Sequence, residues 1–311
     1  MRLFMALLLA AGTVFAQSVP HVYVVNKAAD SISIINATSL RVEHTIPVGR
    51  NPHEVAVAPN GSKLYVPNAA GNSVSVIDLR TNSETKKITH PDFNNPHGVA
   101  FTPDSRRALV TSERSRKIFV LDAMTDQVLR VIETDQGGTH MVTVNTAGTH
   151  AYFTNRESNT VTFMDLNDYR ILANVNVGRG AEGFALSPDG RQIWVGNRND
   201  STISVVDVPS RSTIATFSSG QNPIRLAFTP DGKHVVSPDG ASGNVDVYDA
   251  ATRRKIQTVP ASAGGIVAAT DGKRMYVASQ GSNEVQVIDT ATWKVTNRIP
   301  VGSGPDGIAY R

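Results

Sequence analysis

The sequence contains no cysteine, and this absence excludes several classes of protein before any motif is considered. Without thiols there are no disulfide bonds, no lipid-modified cysteine behind a leader and no Cys-x-x-Cys-His attachment motif for c-type haem. The fold must therefore be stabilised by packing alone. Any haem would have to be held without thioether bonds.

Charged residues and long apolar runs are also scarce. Charged residues make up 18% of the 311 positions, and 30 basic residues stand against 27 acidic ones. This balance lacks the dense basic surface that nonspecific nucleic-acid binding requires, so no nucleic-acid partner is expected. The longest apolar run, from Leu3 to Ala11, is shorter than the roughly 20 residues needed to cross a bilayer.

This amino-terminal run has the features of a secretory signal. Arg2 precedes it, and Val14-Phe15-Ala16 supplies small residues at the positions that a signal peptidase recognises. We interpret residues 1–16 as a signal peptide cleaved after Ala16. The mature chain is then expected to be periplasmic or secreted, with no membrane span.

The rest of the chain consists of copies of one sequence repeat of about 42 residues. In its clearest copy, residues 182–208, three apolar runs are separated by the turn sequences SPDG and NRND, and a fourth run follows at 212–217. The polar residues that close the third run recur at steps of 42, 44, 43, 42, 42 and 40: Asn36, Asp78, Asp122, Asp165, Asp207, Asp249 and Asp289. Four strands at this period indicate radial blades, and seven copies predict a seven-bladed all-β propeller.

The two ends of the repeat array complement each other. Residues 17–49 carry three strands and lack the innermost one, whereas residues 304–311 are an innermost strand without a blade. We expect the carboxy-terminal strand to pair with Val22–Val25 and close the ring, because closure removes two exposed sheet edges. Residues 17–311 then form a single propeller domain, expected to be a monomer.

Several copies carry a recognisable phrase in the second strand. LYVPN at 64–68, YFTN at 152–155, IWVGN at 193–197 and MYVAS at 275–279 resemble the repeat of the YVTN β-propeller family, over about residues 20–311. Similar propellers occur in bacterial surface-layer and periplasmic proteins, in lactonase-type enzymes and in the haem d1-binding domain of cytochrome cd1 nitrite reductase. The resemblance implies the fold and leaves the role open.

A candidate metal site emerges when the copies are aligned at the start of the innermost strand. The residues at this position are, around the ring, Asp306, His53, His97, His140, Glu182, Ile224 and Gly264. They are expected to share one face of the disc and to line the central channel. Three imidazoles flanked by carboxylates suit a divalent transition metal. The alternative is that a Pro-His-Gly sequence was duplicated with the repeat. The histidines then only form part of the polar lining of a water-filled channel.

The same face is predicted to carry arginines. Arg114, Arg156 and Arg198 follow second strands, and Arg225 lies near the channel. Guanidinium groups above the channel would suit a carboxylate or phosphate ligand. The alternative is ordinary surface charge, neutralised by neighbouring glutamates.

Three functions fit these features. The leading hypothesis is an exported scaffold that binds an envelope protein, a glycan or a small anionic ligand. The second is a lactonase-like hydrolase in which His53, His97 or His140 acts as a base or holds a metal-bound water. The third is a metal- or haem-associated periplasmic protein. The sequence leaves open whether the protein is an enzyme.

Overall fold

The computed structural model of the chain describes residues 19–261 and 264–311. Within these ranges the regular structure consists of 28 strands in seven four-stranded antiparallel sheets. The same ranges contain no helix long and apolar enough to cross a membrane. The signal-peptide prediction for residues 1–16 lies outside the described residues.

Each sheet is one blade of a propeller, and its strands are given from the innermost outward. Blade 1 contains β28 (Pro305–Tyr310), β1 (His21–Asn26), β2 (Ser31–Asn36) and β3 (Arg41–Pro47). Blade 2 contains β4 (Ala56–Val57), β5 (Lys63–Asn68), β6 (Ser73–Asp78) and β7 (Ser83–Thr89). Blade 3 contains β8 (Pro96–Phe101), β9 (Arg107–Ser112), β10 (Lys117–Asp122) and β11 (Gln127–Glu133). Blade 4 contains β12 (Thr139–Val144), β13 (His150–Asn155), β14 (Thr160–Asp165) and β15 (Ile171–Asn176).

The remaining three blades follow the same order. Blade 5 contains β16 (Ala181–Leu186), β17 (Gln192–Asn197), β18 (Thr202–Asp207) and β19 (Ser212–Ser218). Blade 6 contains β20 (Ala227–Phe228), β21 (His234–Asp239), β22 (Asn244–Asp249) and β23 (Lys255–Pro260). Blade 7 contains β24 (Ile266–Ala268), β25 (Arg274–Ser279), β26 (Glu284–Asp289) and β27 (Lys294–Pro300).

The blades form a closed ring. Their innermost strands touch in the circuit β4–β8–β12–β16–β20–β24–β28 and back to β4. The predicted closure is confirmed, because β28 pairs with β1 with Val24 opposite Ile308 and Tyr23 opposite Ala309. The predicted seven-bladed propeller is therefore correct.

The hydrophobic core is divided among the spaces between blades. The two middle strands of each blade are buried on both faces, as in β17, where five of the six residues of QIWVGN are buried. The buried apolar side chains form seven clusters, one for each pair of neighbouring blades. The cluster between blades 7 and 1 joins Val22 and Val24 to Tyr276 and Val287, so the seam of the ring is packed like the other interfaces.

The recurrent residue that closes the third strand is a turn-forming side chain. Each of the seven predicted positions, from Asn36 to Asp289, ends a third strand. The carboxylate accepts hydrogen bonds from backbone N–H groups of the following turn, as Asp122 does from Met124 and Thr125 at 2.7 and 2.8 Å. The repeated aspartates are therefore structural.

The asparagines at the ends of second strands have a different role from the aspartates that close the third strands. Asn197 is fully buried, and its Nδ2 donates to Thr202 Oγ1 at 2.9 Å and to Ser204 Oγ at 2.8 Å on the neighbouring strand. The same arrangement occurs at Asn26, Asn68 and Asn155. These amides join strands two and three inside the blade.

A bulge disturbs the innermost strand at its start in four of the blades. In blade 3, Pro96 pairs with Ser112 and Val99 pairs with Val110, so one extra residue is accommodated at His97-Gly98. Blades 4, 5 and 1 have the same shift in register, at 140–141, 182–183 and 306–307. Four of the candidate site residues stand at these irregularities: His97, His140, Glu182 and Asp306.

Candidate functional site

The structure brings the three predicted histidines together as a stack. The ring centroids of His53 and His97 are 4.5 Å apart, and those of His97 and His140 are 3.8 Å apart. His97 and His140 are each only 2% exposed. His53 Nδ1 lies 3.3 Å from Asp306 Oδ2, and its Nε2 lies 3.1 Å from Asn51 Oδ1. The prediction that these residues share one face is correct.

His140 lies between two carboxylates. Its Nδ1 is 3.6 Å from Glu113 Oε2, and its Nε2 is 3.5 Å from Glu182 Oε1. These separations are too long for good hydrogen bonds, so the attraction is mainly between charges. Burial alone would lower the pKa of His140, but the two glutamates outweigh it and raise that pKa above 6.5. The two glutamates therefore favour the positively charged form of His140 more than its burial opposes it.

The two glutamates stay ionised because cations surround them. Burial raises the pKa of Glu182, but His140, Arg225 and Arg156 lower it more, and the net result is a pKa well below 4.5. The pKa of Glu113 is lowered in the same way by His140 and Arg156. Both carboxylates can thus anchor basic side chains.

Arg156 and Arg198 lie above these glutamates. Arg156 is hydrogen-bonded to Glu113 through Nη2, and its Nη1 lies 3.5 Å from Glu182. Arg198 Nη1 lies 3.4 Å from Glu182. The two arginine side chains remain 35% and 42% exposed. Each guanidinium group contacts a buried glutamate on one side and is exposed to solvent on the other.

These two arginines line a cleft of about 590 Å³. The cleft is lined by Arg156, Glu157, Asn159, Arg179, Arg198 and Asn199. Three arginines and one glutamate make the lining positively charged. Arg179, in the loop between β15 and β16, is oriented by Asp200 through Nε at 2.6 Å. The cleft offers several N–H donors to an anion of small-molecule size.

A salt bridge crosses the central channel of the ring. Arg225 of blade 6 donates from Nη2 to Glu54 Oε1 of blade 2 at 2.5 Å, and the same nitrogen lies 3.7 Å from Asp306 Oδ1. Blades 2 and 6 are not neighbours in the ring, so this pair spans the axis. Burial raises the pKa of Glu54, whereas the charges of Glu54 and Asp306 raise the pKa of Arg225 despite its burial.

Glycines let the innermost strands approach one another around this bridge. A Cβ on Gly98 would lie 2.5 Å from His140 O, and one on Gly307 would lie 2.4 Å from His53 O. Gly183 is equally close to the backbone of Ile224 and Arg225. Since contacts below 3.0 Å are sterically forbidden, larger side chains at this position occur only where the preceding blade carries a glycine, as at Glu54 and Arg225.

Several predicted residues have other positions or roles than expected. Arg114 is exposed and one residue beyond Arg156 in the alignment of blades, because Glu113 occupies the equivalent place. Arg225 is buried in the salt bridge and does not line the cleft. Ile224 and Gly264, which align with these residues, bring no polar side chain to the ring.

The metal-site hypothesis stays a prediction. The five proposed ligands do surround the channel, but the imidazoles are stacked. In residues 19–261 and 264–311, no group of three or more His, Asp or Glu side chains is placed to hold one metal ion. His140 directs both ring nitrogens at carboxylates and would have to lose these contacts to bind a metal.

Two residues of the site were not recognised from the sequence. Glu54 follows His53 directly, at a repeat position where the blades on either side have glycine. Arg179 lies just before the innermost strand of blade 5, in a loop whose sequence is not shared by the other repeats. A signal existed for the first, since Glu54 and Arg225 are the two charged residues at a repeat position that otherwise carries glycine or methionine, and their charges are opposite.

Comparisons with known proteins agree with the fold. Residues 5–310 match the profile of a family described as YNCE-like beta-propeller. A functionally unknown protein from Desulfotomaculum acetoxidans DSM 771 superposes with a TM-score of 0.81 at 15% identity, covering 93% of this chain and 98% of that one. Hydrazine synthase from Kuenenia stuttgartiensis gives 0.80 at 22% identity, covering 91% and 99%. At these identities the likeness shows the fold alone.

A curated relative matches only a short stretch. The PE-PGRS family protein PE_PGRS18 of Mycobacterium tuberculosis (strain ATCC 25618 / H37Rv) is 51% identical over 43 residues. This stretch is 14% of the chain and spans 9% of that relative's length. The matched length is about that of one blade, so the match reflects a single copy of the repeat.

Proposed function

The chain belongs to the YNCE-like beta-propeller family, and we propose that it is a binding protein whose cleft recognises a small ligand with a carboxylate or phosphate group. The observation that carries this proposal is the placement of three guanidinium groups around one cleft of about 590 Å³. Arg156 and Arg198 are fixed by buried glutamates, and Arg179 is fixed by Asp200. Fixed donors lose little conformational entropy when a ligand binds.

A binding role fits this site better than a catalytic one. The most buried groups of the site, His140, Glu113 and Glu182, are engaged with one another and hold the arginines in place. Each therefore has a positioning task. Such a rigid disc can present the same cleft to a free metabolite or to an acidic group on a glycan or envelope protein. Export to the periplasm or outside the cell, through residues 1–16, is part of the proposal.

Calorimetric titration with succinate and with inorganic phosphate tests the proposal. We expect at least one of the two probes to bind at a single site with a millimolar or lower Kd. Arg198→Gln should weaken this binding at least tenfold, because it removes charge-assisted hydrogen bonds worth roughly 1.5–3 kcal/mol. Arg114→Gln is the matched control, since Arg114 is an exposed arginine in the corresponding loop of blade 3 and should bind as the wild type does. Equal affinity of both variants, or no heat with either probe, would refute the proposal.

A hydrolase is the second candidate, and one observation favours it. Asp306 lies 3.3 Å from His53 Nδ1, as in sites where a carboxylate orients a catalytic imidazole. The other ring nitrogen, however, contacts Asn51 at 3.1 Å and would have to be released to act as a base. Turnover of a simple lactone by the wild type and its loss in His53→Asn would support this candidate. Turnover that His53→Asn does not alter would remove it.

A further inference from the structure

The arginine-lined cleft contains one carboxylate among the described residues, that of Glu157. This residue follows Arg156 directly, in the loop between β13 and β14, and the rest of the lining consists of three arginines and two asparagines. At the same repeat position the other six blades carry no acidic residue: Ala28, Ala70, Arg114, Asn199, Ala241 and Gly281. The carboxylate is therefore a feature of this cleft and not of the repeat.

The arginines around the cleft do not neutralise Glu157. Each has its acidic partner elsewhere: Glu113 and Glu182 contact Arg156, Glu182 contacts Arg198, and Asp200 contacts Arg179. Within residues 19–261 and 264–311, Glu157 itself forms no ion pair. The cleft thus presents guanidinium groups and a separate, unpaired carboxylate to the same space.

Two glycines make room for the Glu157 side chain. A Cβ on Gly137 would lie 2.8 Å from Glu157 Oε2, and one on Gly138 would lie 3.1 Å from Glu157 Cγ. The side chain therefore lies against the backbone of the loop before β12, in space that any larger residue would occupy. The backbone N–H of Glu157 also donates to the Gly137 carbonyl at 3.2 Å. A carboxylate positioned in this way loses little conformational entropy when it accepts a hydrogen bond from a ligand.

We propose that the ligand of the cleft is a small zwitterion, with an ammonium group close to its carboxylate or phosphate group, and that Glu157 binds the ammonium. This inference rests on the proposed function, because the guanidinium groups hold the anionic end. An ammonium group offers three N–H donors and one positive charge to an ionised carboxylate. A ligand that is only anionic leaves Glu157 unpaired and is repelled by its charge. Glu157 thus determines which small anions the cleft selects.

Succinate and L-aspartate are a matched pair of probes, because aspartate is succinate with one ammonium group added. Aspartate carries one net negative charge less, so the arginines alone would favour succinate. In calorimetric titrations of the wild type, we expect aspartate to bind about fivefold more tightly than succinate. Phosphoethanolamine and ethyl phosphate are the corresponding pair for a phosphate group, and N-acetyl-aspartate, which lacks the ammonium, should show no advantage over succinate. If neither ammonium ligand bound more tightly than its partner, the proposal would be overturned.

Glu157→Gln tests whether Glu157 is the group responsible. The variant should bind aspartate no more tightly than succinate, and it should bind succinate at least as well as the wild type does, because one repelling charge is gone. Glu133→Gln makes the same chemical change on the outermost strand of blade 3, where the Glu133 side chain is 64% exposed, and should keep the full preference for aspartate. A preference that Glu157→Gln left unchanged would overturn the proposal.

Arg198→Gln separates this inference from the proposed function. This variant should weaken the binding of both members of a pair, whereas Glu157→Gln should weaken only the binding of the zwitterion. If the simple anions bind and Arg198→Gln weakens them, but the ammonium ligands show no advantage, the proposed function stands and the role of Glu157 is wrong. If Arg198→Gln changes the binding of no probe, the proposed function fails and this inference fails with it.

Discussion

At the scale of single residues, the interior of the ring is a set of charges that stabilise one another. His140 is buried, and its pKa is raised despite that burial because Glu113 and Glu182 face its two nitrogens. The glutamates in turn stay ionised because of His140 and Arg156. Removing one member leaves its partners as unpaired buried charges, which costs more than an exposed salt bridge would.

The His140→Gln variant tests this dependence through pH. The folded state holds the proton of His140 more tightly than the unfolded chain does, so this stabilisation is complete below pH 6.5 and is lost as pH rises through the raised folded pKa. We expect the variant to have a free energy of unfolding about 3 kcal/mol lower at pH 6, and a smaller deficit at pH 9. Urea unfolding at both pH values measures it. An equal deficit at both would contradict the assigned protonation, and His44→Gln, exposed on β3, is the control.

The glutamates impose the opposite pH dependence in the acid range. Their pKa values are lowered in the folded state, so their contribution is present above about pH 4.5 and is lost as pH falls through the lowered values. Between pH 6 and pH 3, the wild type should therefore lose more of its free energy of unfolding than the Glu113→Gln variant loses over the same range. Urea midpoints between pH 3 and pH 6 provide the measurement, and parallel pH profiles of the two proteins would contradict it.

At the scale of elements, the bulge of the innermost strand determines which side chains reach the axis. Alignment of the repeats correctly predicted that His53, His97 and His140 share a face. It did not predict that Glu54 and Arg225, one residue later, meet across the channel, because that contact depends on the curvature of the whole ring. Arg114 lies in the loop after a second strand, as expected, but Glu113 occupies the place in blade 3 that Arg156 has in blade 4.

Gly98→Ala tests the close approach of neighbouring innermost strands. The added Cβ would lie 2.5 Å from His140 O and 3.0 Å from Met141 Cα, and both are backbone atoms that cannot move alone. We expect a loss of about 2 kcal/mol in the free energy of unfolding. Gly243→Asn is the control, because that turn has open space and a φ of +69° that asparagine tolerates. If chemical denaturation shows no difference between the two variants, the steric argument is wrong.

Asn197→Ala tests the amide that joins strands two and three of blade 5. The variant loses two buried hydrogen bonds, to Thr202 and Ser204, and should be destabilised by about 2 kcal/mol. Asn167→Ala, an exposed turn residue of blade 4, should lie within about 0.5 kcal/mol of the wild type. Denaturant unfolding measures the free energy of unfolding of both variants. Equal values would show that the Asn197 amide is dispensable.

At the scale of the whole molecule, ring closure is what brings distant parts of the sequence to one axis. Glu54, Arg225 and Asp306 come from blades 2, 6 and 1, and they meet because β28 completes the first blade. The number of blades and the pairing of the tail with the head followed from repeat length and strand count. The charge network did not, since it requires distances that no repeat alignment contains.

Deletion of Pro305–Arg311 tests the dependence of the ring on its last strand. The deletion removes the pairing with β1, part of the core between blades 7 and 1, and Asp306 from the channel. We expect the Tm to fall by about 10 °C or more in a single transition. Arg311→Ala, which keeps the backbone of β28, should melt within about 2 °C of the wild type. A deletion variant with an unchanged Tm would contradict closure as the source of stability.

The most direct test of the central claim is a crystal structure of the wild-type protein grown with selenate, a phosphate-like anion visible by its anomalous scattering. The claim is that blades 4 and 5 together hold an oxyanion in the arginine-lined cleft. It predicts an anomalous peak between the guanidinium groups of Arg156 and Arg198, and no such peak in crystals of Arg198→Gln. A cleft without selenate in the wild type, or a peak that persists in the variant, would contradict it.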